Sequence, residues 1–503
     1  MDTIDLLVIG GGVNGAGIAR DAAGRGLRVV LVEQGDLAGA TSSASSKLIH
    51  GGLRYLELHE FRLVREALTE RTVLLRIAPH IAWPMRFVLP ALGAGRPAWM
   101  LRLGLFLYDH IGGRGGLPST RRLDLAHAPE GAPLQDRFRV AFEYSDAWVD
   151  DARLVVLNAM DAAARGADIR TRTRCTGLRA ADGVWEATLE GGDTLRARAV
   201  VNAAGPWVAD VMHHRAGKPG QNAGPKARLV KGSHLVVPRL YQGNQAYILQ
   251  NDDKRVVFVL PYELDFSLIG TTDVPFAGDP AAVAIDASEV DYLCRAVSRA
   301  FRRAVVPGDV VHTFSGVRPL QDDGEASARA VTRDYKLHLE VSPAPMLSVF
   351  GGKITTYRRL AEHAMAMLIP LLSPPRPQPH RRAALNLGPW TASVPLPGGD
   401  MADFAGFLDA AAARRPWLPR PMLERMAHAY GTRLDHVLGD AADLGGLGED
   451  FGAGLHAAEL GYLMRHEWAR TAEDVLWRRS KLGLRLDAGQ RARVQHWMEA
   501  HHG

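Results

Sequence analysis

Residues Ile4 to Glu33 read IDLLVIGGGVNGAGIARDAAGRGLRVVLVE. Ile4, Leu6, Leu7, Val8 and Ile9 form an apolar run of the length of a buried parallel strand. Gly10, Gly12 and Gly15 follow at once in G-x-G-x-x-G spacing. The first permits a tight turn, the second lets backbone approach a pyrophosphate, and the third lets a helix pack close to the strand. That helix aims its free N–H groups at phosphate. Gly24 and Gly26 end it, and Leu27 to Val32 make a second strand. Glu33 stands about 20 residues past the glycines, where an acid bonds the ribose hydroxyls of an adenosine. Strand, glycines, helix, strand and acid in this order predict a βαβ dinucleotide-binding unit.

Length and composition bound what surrounds this unit. A chain of 503 residues exceeds one ordinary core, so two or three domains are expected. Its 47% hydrophobic and 23% charged content is that of a globular protein, and the net charge of +5 suits an acidic substrate or an anionic membrane surface. No Lys/Arg block is interleaved with aromatics, so nucleic acid is not an expected partner. Two cysteines, Cys175 and Cys294, are too few for a disulfide framework or a cysteine-built metal site. A reducing compartment and no metal are therefore expected. Neither a secretory signal nor an apolar run of about 20 residues is present, so no bilayer span is expected.

Residues 40–55, ATSSASSKLIHGGLRY, set hydroxyls ahead of a lysine, a histidine and paired glycines. Hydroxyls and backbone amides in such a loop bind phosphate, and Gly51 and Gly52 allow close approach to a flat ring. Residues 61–78 have the apolar spacing of an amphipathic helix. Residues 97–111, PAWMLRLGLFLYDHI, are apolar almost all round; a buried core helix is the favoured reading, and a helix lying in a membrane interface the alternative. In EYSDAWVDDARLVV, Asp150 or Asp151 N-caps a helix. Short β segments fill 168–199, and VVNAAGPW (200–207) breaks into small residues that let backbone approach a ligand. Between 229 and 273, KGSHLVVP, QAYILQ, VVFVLPY and FSLIGTTD predict antiparallel strands and the substrate-facing sheet. In VFGGKITTYR (349–358), Gly351 and Gly352 precede a helix and repeat the opening's anion-binding logic. Residues 370–397 are proline-rich and read as a linker. Helical periodicity runs through 404–497, with Trp468, Trp477 and Trp497 as anchors.

The glycine motif alone does not choose between NAD and FAD. The hydroxyl-rich loop and the late glycine pair do, because a long FAD is held at its middle by one end of the chain and at its ring by the other. Arg54, Arg318, Arg333 and Lys353 lie in segments that otherwise avoid charge, and together they form an anion site beside the flavin ring. The predicted architecture is α/β, a Rossmann-like FAD-binding domain with an antiparallel β-sheet substrate domain and a C-terminal helical domain. Its parts are 1–370 (substrate part about 70–150 and 208–345), a linker at 371–400, and helices at 401–503.

VIGGGVNGAGIARDAAGRG, ATSSASSKLIHGGLRYLE, EYSDAWVDDARL, VVNAAGPWV, LVKGSHLVVP, IGTTDVP, SGVRPL, TRDY and VFGGKITTYR resemble, in order, segments of the FAD-dependent, respiratory glycerol-3-phosphate dehydrogenases. These belong to the D-amino acid oxidase type of flavoprotein fold. EWARTAEDVLWRRSKLGL (467–484) resembles that family's C-terminal domain, and only 112–139 and 370–400 show little of its pattern. The resemblance implies that Gly10, Gly12, Gly15, Glu33 and Gln34 hold the adenosine and pyrophosphate. Thr41, Ser42, Ser43, Ser46, Lys47, Leu48, His50, Gly51 and Gly52 line the rest of FAD, with Ala204, Gly205, Gly351, Gly352, Ile354 and Thr355. Arg54, Tyr55, Thr272, Arg318, Arg333 and Lys353 surround the substrate. The implied reaction oxidises sn-glycerol 3-phosphate to dihydroxyacetone phosphate by hydride transfer from C2 to flavin N5. Arg318 or Lys353 would steady the developing alkoxide, and His50 or His234 would accept its proton. Electrons would pass to ubiquinone from a homodimer attached monotopically at the cytoplasmic face of the inner membrane. Rival readings are a soluble oxidase that uses oxygen, an enzyme of amino acids such as glycine or sarcosine, and a flavin-binding protein without turnover.

Overall fold

The computed structural model describes residues 2–53, 56, 59–91, 98–212, 227–253, 255–321, 334–372 and 388–501. The opening stretch folds as β1 (Ile4–Ile9), α1 (Val13–Gly24) and β2 (Val29–Val32). β1 pairs in parallel with β2 on one side (Val8 opposite Leu31) and with the strand Thr194–Asn202 on the other (Val8 opposite Val201). The chain thus leaves β1 in both directions, and such a switch point opens a crevice beyond the strand's carboxyl end. Leu6, Leu7 and Val8 are fully buried, each burial contributing about 1.5–3 kcal/mol. Ala16, Ala19 and Ala22 keep α1 thin enough to lie between the helices Asp151–Ala164 and Tyr357–Leu372. Its charged residues are buried as well: Arg20 pairs with Asp161 (2.6 Å), and Asp21 with Arg25 at the helix C-cap (2.9 Å).

A second sheet, ten-stranded among the described residues, carries the segments expected to face substrate. Ala227–Pro238 lies between Phe266–Gly270 and His312–Gln321, antiparallel to both. The sheet continues through Val256–Tyr262 and Ala246–Gln250 to two long strands, Ala82–Ala91 and Val140–Val149. Asp150 is the N-cap of the next helix, accepting the Arg153 N–H, while Asp151 enters its first turn.

The helix Ala98–Ile111 departs from the favoured reading. Leu101, Leu105 and Tyr108 are buried, but Trp99 (67%), Leu103 (51%) and Phe106 (57%) are exposed. Two apolar faces flank this helix, and only one is covered.

Residues 401–501 form their own core from Leu423, Met426, Tyr430, Leu460, Leu463, Val475 and Val494. Helices dominate, with one departure, a short hairpin of Asp450–Gly452 and Leu455–His456. Trp477 and Trp497 pack against this core, and Trp468 packs against the core of the first sheet. Of the proline-rich stretch, residues 388–400 are described. They lie along the first domain: Leu396 N–H donates to the Ile77 carbonyl (2.8 Å) and Arg20 to the Val394 carbonyl (2.9 Å).

Candidate active site

Beyond β1 the backbone is shaped so that no side chain fits. Gly10 has φ +114°, and a Cβ there would lie 2.4 Å from the Ala203 carbonyl oxygen; a Cβ on Gly15 would lie 1.9 Å from that of Gly10. Gly11 N–H donates to one oxygen of Glu33 (2.6 Å) and Gly35 N–H to the other (2.7 Å). Burial raises the pKa of this carboxyl, and the two N–H donors pull it back. Ser42 Oγ accepts the Val13 N–H (3.0 Å), which places the hydroxyl-rich loop over the start of α1. A cavity of about 600 Å³ opens here, within the usual range for small-molecule sites. Gly10, Gly12, Glu33, Gln34, Thr41, Ser42, Ser43, Lys47, Ala204 and Gly205 all border it. Glycine turn, helix N-terminus, acid and hydroxyls around one cavity fit a flavin dinucleotide.

Lys47 borders the cavity but spends its charge on the fold. It is 1% exposed, and its Nζ donates to Asp151 Oδ1 (2.7 Å) and to the Ser43 carbonyl (3.1 Å). Asp151 also accepts the Ser45 hydroxyl (2.7 Å). Breaking such a buried pair from one side costs about 3–5 kcal/mol, because the other charge is left alone. Leu48 pairs with Trp148 in the second sheet.

The late glycine pair meets the early one. Gly52, Gly351 and Gly352 all have positive φ (73°, 70° and 98°). Asn14 Nδ2 donates to the Gly351 carbonyl (3.2 Å), and Thr355 Oγ1 accepts the His50 N–H (3.3 Å). Gly351 N–H in turn donates to the carbonyl of Pro319, next to Arg318. Lys353 caps the short turn Ile354–Thr356 that leads into the helix Tyr357–Leu372, and Ile354 packs on the first core. Gly51 N–H donates to Tyr108 Oη (2.7 Å), whose hydroxyl donates to Asp146 (2.8 Å). Burial pushes the Asp146 carboxyl up to about 6 against the opposing charge of Arg71, 2.8 Å away. In sequence Tyr108 read only as an aromatic of an apolar helix, with nothing to mark it as a partner of the Gly51 loop.

One face of Ala227–Pro238 and its neighbours gathers residues expected near substrate. Gly232 stands opposite Gly316, and Arg318, opposite Val230, folds back over Gly232. A Cβ on Gly232 would lie 2.5 Å from an Arg318 nitrogen and 2.8 Å from Thr271 Oγ1. Asp273 lies 3.9 Å from the guanidinium. His234 stands opposite both Gly270 and Phe314, stacking on the Phe314 ring at 4.8 Å, and a Cβ on Gly270 would meet the imidazole at 2.1 Å. Its Nε2 shares a hydrogen bond with Ser46 Oγ (2.9 Å), while Nδ1 has no partner among the described residues. Burial, with the charges of Lys47 and Arg318, lowers the His234 pKa to about 3.

Thr272, expected beside substrate, turns the other way. Its hydroxyl donates to Glu289 (2.6 Å) and accepts the Ser233 N–H (2.9 Å), in a cluster completed by Lys231, 2.7 Å from Glu289. Thr271 instead stands on the Arg318 side, since both approach the position that a Cβ on Gly232 would take. Arg54, Tyr55 and Arg333 lie outside the described residues.

Comparison with known proteins accords with this geometry. A family model described as FAD dependent oxidoreductase matches residues 5–358, and one described as the C-terminal domain of alpha-glycerophosphate oxidase matches residues 389–502. The D-erythritol 1-phosphate dehydrogenase of Brucella abortus is 53% identical, covering 99% of this chain and 98% of its own length. The aerobic glycerol-3-phosphate dehydrogenase of Escherichia coli is 50% identical over 99% of this chain and 98% of its own. A crystal structure of the Bacillus halodurans glycerol-3-phosphate dehydrogenase complexed with FAD superposes with a TM-score of 0.74 at 27% identity, covering 99% and 94% of the two chains. Both halves of the chain, the glycine-lined cavity and full-length likeness thus agree: the chain belongs to the FAD-dependent oxidoreductase family, in its group of flavin-dependent glycerol-3-phosphate dehydrogenases.

Proposed function

We propose that the protein oxidises sn-glycerol 3-phosphate to dihydroxyacetone phosphate and passes the electrons to ubiquinone at a membrane surface. The observation that carries the substrate reading is the Arg318 guanidinium laid across Gly232 beside Thr271, a cation and a hydroxyl on one strand face. Arginine binds a phosphate or steadies an alkoxide through a planar fork of donors. Lys353, and Arg54, Tyr55 and Arg333 by resemblance, complete the anion site. FAD, when bound, supplies the acceptor for the hydride that leaves the carbinol carbon. His234, held neutral by burial, positions through its hydrogen bond to Ser46, and His50 accepts the hydroxyl proton. A base whose pKa is near 3 takes up protons poorly at neutral pH.

Anaerobic mixing with glycerol 3-phosphate is expected to bleach the bound flavin in one rapid phase, and His50→Asn to slow that phase about 10²-fold. No bleaching would rule out the substrate. The 53% identity to an erythritol phosphate enzyme favours a second reading, a four-carbon polyol phosphate. Faster bleaching by D-erythritol 1-phosphate than by glycerol 3-phosphate would decide for it.

The exposed Trp99, Leu103 and Phe106, with Arg102 between them, suit a helix lying in an anionic interface. No described helix is long and apolar enough to cross a membrane. Changing all three apolar residues to serine is expected to cut sedimentation with anionic phospholipid vesicles at least tenfold, with flavin content unchanged. Equal sedimentation of the variant and the parent would remove this helix from the membrane reading.

A further inference from the structure

The family's cofactor cavity is closed here by residues that come from the other end of the chain. Glu473, Trp477, Arg478 and Lys481 of the C-terminal domain border it alongside the glycine turn. Trp477 lies flat on His312, another residue of the cavity wall, at 4.0 Å and 9°. Behind this wall the contacts are ionic. Asp36, three residues past the ribose-binding acid and 5% exposed, accepts Arg478 Nε (2.6 Å) and both terminal nitrogens of Arg479 (2.6 and 2.8 Å). Arg479 is fully buried and also donates to the Glu467 carbonyl (2.7 Å). Asp474 binds Arg478 (2.5 Å) and, across the domain boundary, Arg172 (2.6 Å). Lys481 reaches Asp150 (3.2 Å), the neighbour in sequence of the Asp151 that holds Lys47.

We propose that segment 473–481 is a clasp for the dinucleotide: it completes the cavity and fixes the loop 33–39 on which the adenosine end rests. Two features support a role in cofactor retention beyond domain docking. Asp36, Arg478 and Lys481 make ion pairs and also border the cavity. The loop they grip is also gripped from inside, where Gly11 and Gly35 N–H hold Glu33 and Ala38 N–H donates to the Gly11 carbonyl (3.0 Å). Asp36 is thus the outer anchor of a loop whose inner anchor is the cofactor acid. Arg478 and Arg479 are positioning residues in this scheme. Binding and docking must then help one another equally, because coupling between two sites is reciprocal.

Asp36→Asn and Arg478→Gln, made separately, test this in the full chain. Each removes one charge; Asp36→Asn keeps the side chain's size, and Arg478→Gln shortens it while leaving a hydrogen-bonding amide. Loss of FAD is read from the return of free-flavin fluorescence on dilution, and folding from circular dichroism. Arg425→Gln serves as control, since it breaks the Arg425–Glu459 pair (2.7 Å) inside the C-terminal core. The clasp variants are expected to raise the Kd for FAD at least tenfold while folded, and added FAD to slow proteolysis of residues 401–503 in the apoprotein of the parent but not of the variants. The control should lose thermal stability and keep the parent Kd. Unchanged Kd in both clasp variants, or an equal loss of FAD from the control, would overturn the proposal. Should one variant fail to fold, the other and the protection of the parent apoprotein by FAD decide the matter.

Discussion

Gly15→Val is expected to yield a folded chain that carries no flavin. A single added Cβ would stand 1.9 Å from the Gly10 carbonyl oxygen, and neither partner has room to move. Gly10 is fixed by its own positive φ and by the bond from its N–H to the Val32 carbonyl (2.8 Å), so the helix must retreat from the strand. Retreat withdraws the helix N-terminus from the position where it meets phosphate, and with it several N–H donors at once. The ratio of absorbance at 450 nm to that at 280 nm in the purified protein measures the outcome. A drop in FAD affinity above about 10²-fold is expected, about 3 kcal/mol or more. Retention of stoichiometric FAD would mean that the cleft tolerates the shift.

Arg318→Ala is expected to lower kcat/KM for glycerol 3-phosphate by about 10²–10³, that is ~3–4 kcal/mol of transition-state stabilisation. The flavin should remain bound, since its glycine cradle is untouched. Gly232→Ala probes the same group from beneath. The new methyl would press on the guanidinium from 2.5 Å, so a loss of about tenfold is expected with the charge still present. A fall in kcat at unchanged KM in both variants would assign Arg318 to the developing alkoxide; a rise in KM alone would assign it to the phosphate. Wild-type kinetics in both would exclude it from the site.

The dinucleotide unit was legible because its signals are local. Strand, glycines and acid sit within 30 residues, and each is dictated by backbone sterics rather than by distant partners. The strands Ala82–Ala91 and Val140–Val149 were not, since the second is buried on both faces with Glu143, Ser145 and Asp146 among its apolar residues. No alternation marks such a strand. The choice between Thr271 and Thr272 was likewise closed to sequence, because two adjacent hydroxyls differ only in which of them the fold turns toward Arg318. Helix 98–111 showed its apolar content but not its exposure, which depends on what is left to cover it. Asp36 and Arg479 lie 443 positions apart, and no local pattern announces a pair at that distance.

That separation also sets an order of events in making the protein. At about 5–20 residues per second, a ribosome that has finished Asp36 needs roughly 20–90 s to reach Arg479. Throughout that interval the first βαβ unit has its neighbours to come and its outer anchor unformed, so the cleft stands open on the nascent chain. Long-range contacts of this kind close late because their loop entropy must be met first. The segment that completes the cavity is therefore made long after the loop it grips, and a cofactor present during synthesis has free entry until then.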